Sequence, residues 1–402
     1  MSVRNQFAGI ASLLLIFAVC GCGADSSKPA ADSGPAPKAS ADAESQSPED
    51  DGTEPAADAE AMPPSASESS ASNSKAADSD EGGSEKPDSE ASGSSADAVQ
   101  VAEDLPAYEA ASGVSGTIKF VGSDSMVNIT TYWGEGFRNF YPNVQPEIEG
   151  KGSGTAPPAL TAGTANFGAM SRPMKAKEID EFEAKFGYKP TALKTAIDML
   201  AVYVHKDNPI KGLTFQQVDA IFSKNRKGGY PDDIRTWGDL GLTGPWAKKP
   251  ISLYGRNSAS GTYGYFKEHV LYGGDYKDSV IEQPGSSAVV QGIARDKWGI
   301  GYSGIGYLTA DVRAVPLASE AGEDFVPAEP ENAFNGLYPL SRFLYVYVNY
   351  KPSSELDPLR REFIKYVFSQ DGQQDVVKDG YLPVKLQTAV DALGSVGIST
   401  GQ

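Results

Sequence analysis

The sequence has very few side chains that could form covalent cross-links or bind a metal ion. Its 402 residues include only two cysteines, Cys20 and Cys22, and two histidines, His205 and His269. Because both cysteines stand at the amino terminus, the rest of the chain has neither a disulfide nor a thiolate metal site. The histidines do not form a helical i, i+4 pair, so a histidine-based zinc site would need carboxylate ligands as well. We therefore expect no metal and no cofactor.

An excess of positive charge is also missing. The formal net charge is −18, but residues 23–104 contain 20 acidic and 4 basic side chains, whereas residues 105–402 contain 33 acidic and 30 basic ones. The acidity thus belongs to a tail, and the remainder of the chain is nearly neutral. No basic stripe interleaved with aromatic residues occurs, and we expect no binding of nucleic acid.

The amino terminus lacks a hydrophobic run long enough to cross a membrane. An apolar run from Ala8 to Val19 follows Arg4 and is shorter than the roughly 20 apolar residues of a spanning helix. A basic start with a short apolar run is typical of an export signal. The small residue Gly21 before Cys22 resembles a lipoprotein signal. We predict a signal peptide over residues 1–22, acylation of Cys22, and a protein exported to the periplasm or cell surface. An ordinary cleaved signal is the alternative.

Residues 23–110 are predicted to form a disordered linker. As far as residue 104 the chain consists almost entirely of Ser, Ala, Asp, Glu, Pro and Gly, with no aromatic residue. Such a composition cannot bury enough apolar surface to offset the entropy lost on ordering. A flexible chain of this length has a mean reach of about 50 Å, which suits a leash between a lipid anchor and a folded domain. The alternative to a leash is a low-complexity segment that is under little selection beyond solubility.

From Gly116 onward the pattern changes to strands that alternate with helices. Residues 117–121 read as a strand, and apolar residues then recur at a helical spacing, at Met126, Ile129, Trp133, Phe137 and Phe140. Strand, polar turn and helix recur over residues 144–158, 166–186 and 251–270. This alternation predicts an α/β fold with open sheets, whose ligand sites lie beyond the carboxyl ends of the strands.

Four of these helices begin with Ser, Thr or Gly. Ser and Thr are common helix N-caps, and for each turn alone capping is a sufficient explanation. Several helix starts together with Arg172 and Arg256 indicate an oxyanion pocket, since helix N-termini and guanidinium groups both attract anions. The glycines Gly152, Gly154 and Gly261 would let the backbone approach a ligand closely. The nucleotide motifs G-x-G-x-x-G and G-x-x-x-x-G-K-[ST] are absent, which argues against a nucleotide site.

In their order and spacing these motifs resemble the periplasmic phosphate-binding protein family, the receptors of phosphate import transporters. The resemblance covers roughly residues 116–385 and is carried by Gly122–Met126, Gly152–Thr155, Ser171–Met174, and Arg256 with Ser260–Thr262. It implies a type II periplasmic-binding fold, in which two α/β lobes are joined by crossover strands. We expect lobe one to comprise residues 113–204 and 309–391, and lobe two residues 205–308.

The resemblance also implies a set of ligands for phosphate. The expected ligands are Ser125, the Met126 amide, Ser153, Arg256, Ser260, Gly261 and Thr262, with Ser171 and Arg172 as further candidates. A surface role is the alternative for Arg172. Many members place an aspartate after the third strand, in a G-A-S-D pattern, to accept the proton of the anion. The corresponding run here, Gly168–Arg172, has no aspartate. We predict that Asp124 replaces it, with a solvent-facing turn residue as the alternative.

The implied function is that of a monomeric solute-binding protein, which delivers inorganic phosphate to the permease subunits of an ABC transporter. Binding of sulfate, molybdate or tungstate, and a surface protein that keeps the scaffold without transport, are alternatives. A secreted phosphatase or sulfatase is another. Against such an enzyme, neither histidine lies near a serine motif in the sequence, and Gly150–Gly154 lacks the G-x-S-x-G spacing of a nucleophile elbow.

The lipidation prediction can be tested with a matched pair of variants. Cys22→Ser should abolish partitioning into the detergent phase, because it removes the acceptor of acyl chains that bind membranes by about 0.8 kcal/mol per buried CH₂. Cys20→Ser should partition like the wild type, since the bulky Val19 precedes Cys20 and makes it a poor acceptor. Detergent phase separation of the exported protein measures both. Membrane association of Cys22→Ser would contradict the assignment.

Overall fold

A computed structural model of the chain describes residues 99–399. The predicted signal peptide, Cys22 and most of the predicted linker lie outside these residues. Within residues 99–399, no helix is both long enough and apolar enough to span a bilayer.

Eleven strands and ten α-helices make up the described part of the chain. The strands are β1 (Gly116–Gly122), β2 (Val144–Glu149), β3 (Phe167–Met170), β4 (Thr191–His205), β5 (Leu213–Thr214), β6 (Ser252–Arg256), β7 (Val280–Gln283), β8 (Gly299–Gly304), β9 (Val312–Ala314), β10 (Leu317–Ala318) and β11 (Ser341–Val348). The helices are α1 (Val127–Phe140), α2 (Ala156–Ala162), α3 (Ala176–Phe186), α4 (Phe215–Phe222), α5 (Gly261–His269), α6 (Ser286–Arg295), α7 (Pro330–Phe334), α8 (Pro358–Val367), α9 (Gln370–Lys378) and α10 (Leu386–Ser395).

The predicted strand–turn–helix units are present. In α1 the side chains of Ile129, Trp133 and Phe137 recur every four residues and are completely buried, so one face of the helix packs on the core. Phe140, predicted for the same face, is partly exposed because it stands at the last position of the helix. β2 precedes α2, β3 precedes α3, and β6 precedes α5. The prediction of an α/β fold built from these units is confirmed.

One long strand joins two halves of a nine-stranded sheet. The strand order is β2-β1-β3-β11-β4-β8-β6-β7, with β9 also paired to β4. β1 is parallel to β2 and β3, and β6 is parallel to β7 and β8. The first half of β4 pairs with β11, and its second half pairs with β8 and β9. β4 therefore runs from one α/β lobe into the other, as a type II periplasmic-binding fold requires.

Each lobe has its own large hydrophobic core. The first core is formed around α1, β1, β3, α8 and α10, and the second around α4, β6, α5 and β8. The sequence predicts that the chain passes from lobe two back into lobe one at residue 309, and this boundary stays a prediction. Buried side chains between Val315 and Leu340, however, belong to the second core. This packing favours a boundary close to Ser341, where β11 begins.

Ordered packing begins before the predicted end of the linker at residue 110. Leu105 and Tyr108 are buried in the first core. The Tyr108 hydroxyl lies 2.7 Å from the Tyr141 hydroxyl and donates to Glu362 Oε2 at 3.2 Å. The burial of these two large side chains is enough to order a short segment that is otherwise polar. The composition of the segment does not show that they are buried.

A glycine in α9 allows this helix to pack closely against its neighbours. A Cβ atom at Gly372 would lie 2.1 Å from the carbonyl oxygen of Tyr366, and the Gly372 carbonyl accepts a hydrogen bond from Trp133 Nε1 at 2.8 Å. The exposed Gly394 in α10 offers a comparison, because a Cβ atom there would meet nothing within 4 Å.

Gly372→Ala should lower the free energy of unfolding by about 1–3 kcal/mol, the usual cost of overpacking a well-packed site. Gly394→Ala should leave it unchanged or raise it by about 0.5–1 kcal/mol, since alanine is the better helix former. Urea unfolding followed by tryptophan fluorescence measures both values. Equal stabilities of the two variants would show that the close contact at Gly372 is not limiting.

Candidate anion-binding site

The turns singled out in the sequence meet where the two lobes face each other. From lobe one come the turn after β1, the turn after β2 that contains Ser153, and Ser171 directly after β3. From lobe two come Arg256 at the end of β6 and the first residues of α5. All of them lie at or beyond the carboxyl end of a strand, which is the edge where open α/β sheets bind ligands.

Four hydroxyl groups of this site form two pairs at hydrogen-bonding distance. Ser125 Oγ is 3.0 Å from Thr262 Oγ1, and Ser153 Oγ is 3.2 Å from Ser171 Oγ. The four side chains come from different elements of both lobes and are at most 1 % exposed. A hydroxyl can donate to an anion without introducing a charge of its own.

Two glycines are needed for the lobes to come this close. A Cβ atom at Gly261 would lie 2.2 Å from Ser153 Oγ, so only glycine lets the start of α5 reach lobe one. Gly152 has φ +109°, which L side chains rarely adopt, and a Cβ atom there would lie 2.6 Å from the Ala259 carbonyl oxygen. The Gly154 amide donates to that same oxygen at 3.0 Å. The lobes are thus in direct contact across the site.

Arg256 places a buried guanidinium group in the site. Its residue exposure is 1 %, Nη1 donates to Ser286 Oγ at 2.6 Å, and Nη2 lies 3.3 Å from Asp124 Oδ2. Its Nε is buried and has no hydrogen-bond acceptor among the described residues. Burial lowers the pKa of Arg256, and the Asp124 carboxylate opposes that shift. Because an arginine starts from a very high pKa, the group stays protonated.

Asp124 connects the two lobes. Its Oδ2 accepts a hydrogen bond from the Ser286 amide at 2.6 Å and faces Arg256, and both partners belong to lobe two. The sequence prediction assigns Asp124 to the proton of a bound anion, and this stays a prediction. In the structure the partners of Oδ2 are two groups of lobe two, so the Asp124 carboxylate bridges the lobes.

Three other predicted ligands have local partners. The Met126 amide donates to the Ser123 carbonyl oxygen at 3.1 Å, and Ser260 Oγ caps α5 by accepting from the Tyr263 amide at 3.3 Å. The Arg172 guanidinium donates to both carboxylate oxygens of Glu178, at 2.7 and 2.8 Å. Burial alone would raise the pKa of Glu178, but the hydrogen bonds from Arg172 and the Lys175 amide lower it. Arg172 is therefore engaged outside the hydroxyl cluster.

Sequence reasoning missed three polar residues at this site. Ser286 begins α6 and has the signal used elsewhere, a serine after Pro284 and Gly285 and before an apolar helix. Arg342 and Asp198 are buried partners on β11 and β4, with Nη2 to Oδ2 at 2.8 Å. The available signal for Arg342 is its position in β11. Buried and partly buried side chains alternate at the start of this strand, and the charged Arg342 occupies a buried position of the same kind as the apolar Leu344.

The donor set fits a tetrahedral oxyanion. It combines hydroxyl groups, a guanidinium group and the first turn of α5, whose amides have no acceptor within that helix. His205 lies near Asp207, and His269 contacts Tyr265, so neither joins the hydroxyl cluster. Across residues 99–399 no group of three or more His, Cys, Asp or Glu side chains is arranged to hold a metal ion.

Comparison with known proteins agrees with this geometry. The family model described as "PBP superfamily domain" matches residues 107–371. A phosphate-binding protein PstS from Pseudomonas aeruginosa is 59 % identical over 294 residues, which is 73 % of this chain and 91 % of the relative. PstS from Staphylococcus haemolyticus is 30 % identical over 285 residues, covering 70 % and 85 % of the two chains.

A solved structure provides the same fold. A candidate phosphate ABC transporter substrate-binding protein from Clostridium perfringens, with bound phosphate, superposes with a TM-score of 0.57 at 27 % identity, covering 67 % of this chain and all of that one. An ABC-type phosphate transport receptor from Vibrio cholerae, 22 % identical, shares the fold with a TM-score of 0.51 over 66 % of this chain and all of that one. The resemblance inferred from the sequence motifs is confirmed, and the chain belongs to the periplasmic phosphate-binding protein family.

Proposed function

We propose that this protein captures inorganic phosphate between its two lobes and delivers it to an ABC-type importer from a lipid anchor at Cys22. The observation that carries the proposal is the buried Arg256 guanidinium. It donates to Ser286 Oγ, which is linked through Ser125 Oγ to Thr262 Oγ1, and its Nε has no acceptor among residues 99–399. The relatives at 59 % and 30 % identity, named phosphate-binding proteins, support the choice of phosphate.

The proposed ligands divide between the lobes. Ser125, Ser153 and Ser171 act from lobe one, and Arg256, the Gly261 amide and Thr262 from lobe two. Guanidinium groups present a planar fork that matches the oxygens of phosphate, and hydroxyl groups satisfy the remaining oxygens without unpaired charge. Because ligands from both lobes contact one anion, binding would hold the lobes together, and release would require them to separate.

Isothermal titration calorimetry with phosphate, sulfate and molybdate tests the proposal directly. Phosphate should bind most tightly to the folded domain. Hydrolysis of a chromogenic phosphate ester, assayed in parallel, should be absent, since His205 and His269 have partners other than the serine hydroxyls of the site. Tighter binding of sulfate or molybdate would assign the site to another oxyanion, and turnover of the ester would replace binding by catalysis.

Arg256→Ala should weaken phosphate binding far more than Lys175→Ala. A hydrogen bond to a charged group is worth about 1.5–3 kcal/mol, which corresponds to a loss of affinity of about 10- to 150-fold. Lys175 is exposed, although it lies in the same stretch as Ser171, and an exposed charge contributes little. Calorimetry on both variants, after circular dichroism has verified their fold, measures the difference. Equal and small effects would remove Arg256 from the site.

Asp124→Asn tests whether this residue selects the anion or holds the lobes together. We expect phosphate and sulfate to weaken by a similar factor, because the amide can still accept from the Ser286 N–H but no longer pairs with Arg256. Titrations of both anions give the ratio of their dissociation constants. A gain in sulfate binding with phosphate little changed would instead support the selecting role predicted from the sequence.

A further inference from the structure

Arg342 is a second arginine buried where the lobes join. It lies on β11 directly opposite Asp198 on β4, and the two residues are 6 % and 0 % exposed. Nε and Nη2 both donate to Asp198 Oδ2, at 2.9 and 2.8 Å. Asp198 Oδ1 accepts from the Ile305 amide just beyond β8 at 3.2 Å. The pair is thus held by two adjacent strands, β11 and β4, and by the turn that follows β8.

The stability of the fold does not explain this ion pair. Removing two charges from water costs several kcal/mol per ion, and apolar residues of similar volume often serve as well or better. In addition, Arg342 Nη1 is buried and has no acceptor among the described residues. An unpaired buried donor carries the full cost of its lost hydration. A ligand that accepts from Nη1 would offset this cost.

Hydrogen bonds connect Arg342 to Arg256 through three hydroxyl groups. Arg342 Nη2 donates to Thr262 Oγ1 at 3.0 Å, and Thr262 Oγ1 lies 3.0 Å from Ser125 Oγ. Ser125 Oγ is 3.1 Å from Ser286 Oγ, to which Arg256 Nη1 donates at 2.6 Å. The two guanidinium groups therefore stand at the two ends of one chain of hydroxyls. Each has one buried nitrogen without a partner in the described part of the chain, Nε of Arg256 and Nη1 of Arg342.

The two cations also influence each other electrostatically. The pKa of Arg256 is lowered mainly by burial, and the charge of Arg342 adds to this effect. Each guanidinium has its own carboxylate, Asp124 for Arg256 and Asp198 for Arg342. An anion bound near the two groups would relieve the repulsion between them, whereas a cation or a neutral ligand would not.

We propose that Arg342 is a second anion-binding guanidinium, positioned by Asp198, and that the oxyanion accepts a hydrogen bond from Arg342 Nη1 in addition to those from Arg256. This inference rests on the proposed function, that the contact region of the lobes binds a tetrahedral oxyanion. Because a guanidinium group can only donate, it serves phosphate and sulfate alike. Arg342 thus contributes to the affinity for the whole class of tetrahedral oxyanions and leaves discrimination among them to other groups.

The test compares Arg342→Gln with Arg313→Gln. Arg313 is a half-buried arginine of lobe two that donates to the backbone carbonyls of Asn208 and Ile210 and contacts no residue of the site. Arg342→Gln should weaken phosphate and sulfate binding by about 10- to 150-fold each, the range for a lost charge-assisted hydrogen bond. Arg313→Gln should leave both affinities unchanged even where it lowers Tm. Calorimetry gives the affinities, and thermal unfolding without ligand gives Tm.

A direct readout separates ligand contact from a structural role. In protein labelled with nitrogen-15 arginine, the side-chain signals of Arg342, assigned by their absence in Arg342→Lys, should shift when inorganic phosphate is added. Arg342→Lys keeps the charge but lacks the fork, and should bind phosphate more weakly than the wild type and more tightly than Arg342→Gln. It also serves as the measurable variant if Arg342→Gln does not fold.

The outcomes distinguish this inference from the proposed function. If the wild type binds no oxyanion, or Arg256→Ala binds phosphate normally, the proposed function fails and the inference fails with it. Another outcome would overturn the inference alone. In it, the wild type binds phosphate and Arg256→Ala weakens that binding, but Arg342→Gln binds phosphate as tightly as the wild type and the nitrogen-15 signals of Arg342 do not shift when phosphate is added. A selective loss of phosphate, with sulfate unchanged in Arg342→Gln, would also overturn it.

Discussion

The structure depends on the burial of positive charge at the contact between two lobes. Only 1 % of the surface of Arg256 is exposed, and its guanidinium group donates to the Ser286 hydroxyl. A guanidinium in such a place must be compensated by opposite charge and by hydrogen-bond acceptors. Asp124 and Ser286 provide part of this compensation, and both are positioned by turns that follow strand ends. The sheet order and the close approach of the lobes can both be understood as ways of bringing these groups together.

The approach of the lobes relies on backbone more than on side chains. Glycines at positions 152 and 261 remove the Cβ atoms that would collide with the opposite lobe. The same absence of a side chain brings the first amides of α5 next to Ser153. A helix start is favourable for an anion only where its amides can be reached, so the glycine at the start of α5 links the packing of the lobes to the chemistry of the site.

Much of the fold and part of the site could be predicted from the sequence, for identifiable reasons. Strand–turn–helix units repeat with clear apolar periods, and Ser125, Ser153 and Thr262 stand in their turns, where local pattern and position in the fold coincide. Arg342 and Asp198 lie within strands, and nothing local shows that these two registers face the same site.

Other features depend on side-chain direction, which a sequence does not specify. Ser171 and Arg172 are neighbours, yet one joins the hydroxyl cluster and the other pairs with Glu178. Ser260 Oγ caps its own helix by accepting from the Tyr263 amide, but its O–H can still donate to a ligand, so the contact predicted for Ser260 stays a prediction. The extent of lobe two depends on long-range packing of residues 315–340, which periodicity alone cannot assign.

The two arginine–carboxylate pairs would respond differently if the lobes separated to release an anion, as the proposed function requires. Asp124 and Arg256 belong to different lobes, so opening would break their contact and return both groups to water, where an ion pair is worth little. Asp198 and Arg342 lie on adjacent, hydrogen-bonded strands, so their pairing would survive opening. One guanidinium would then keep its orientation whether the lobes are together or apart, while the other would gain its carboxylate only on closure. An anion that first meets the permanently oriented group would then draw in the second, and closure would add Asp124 as the last compensating charge.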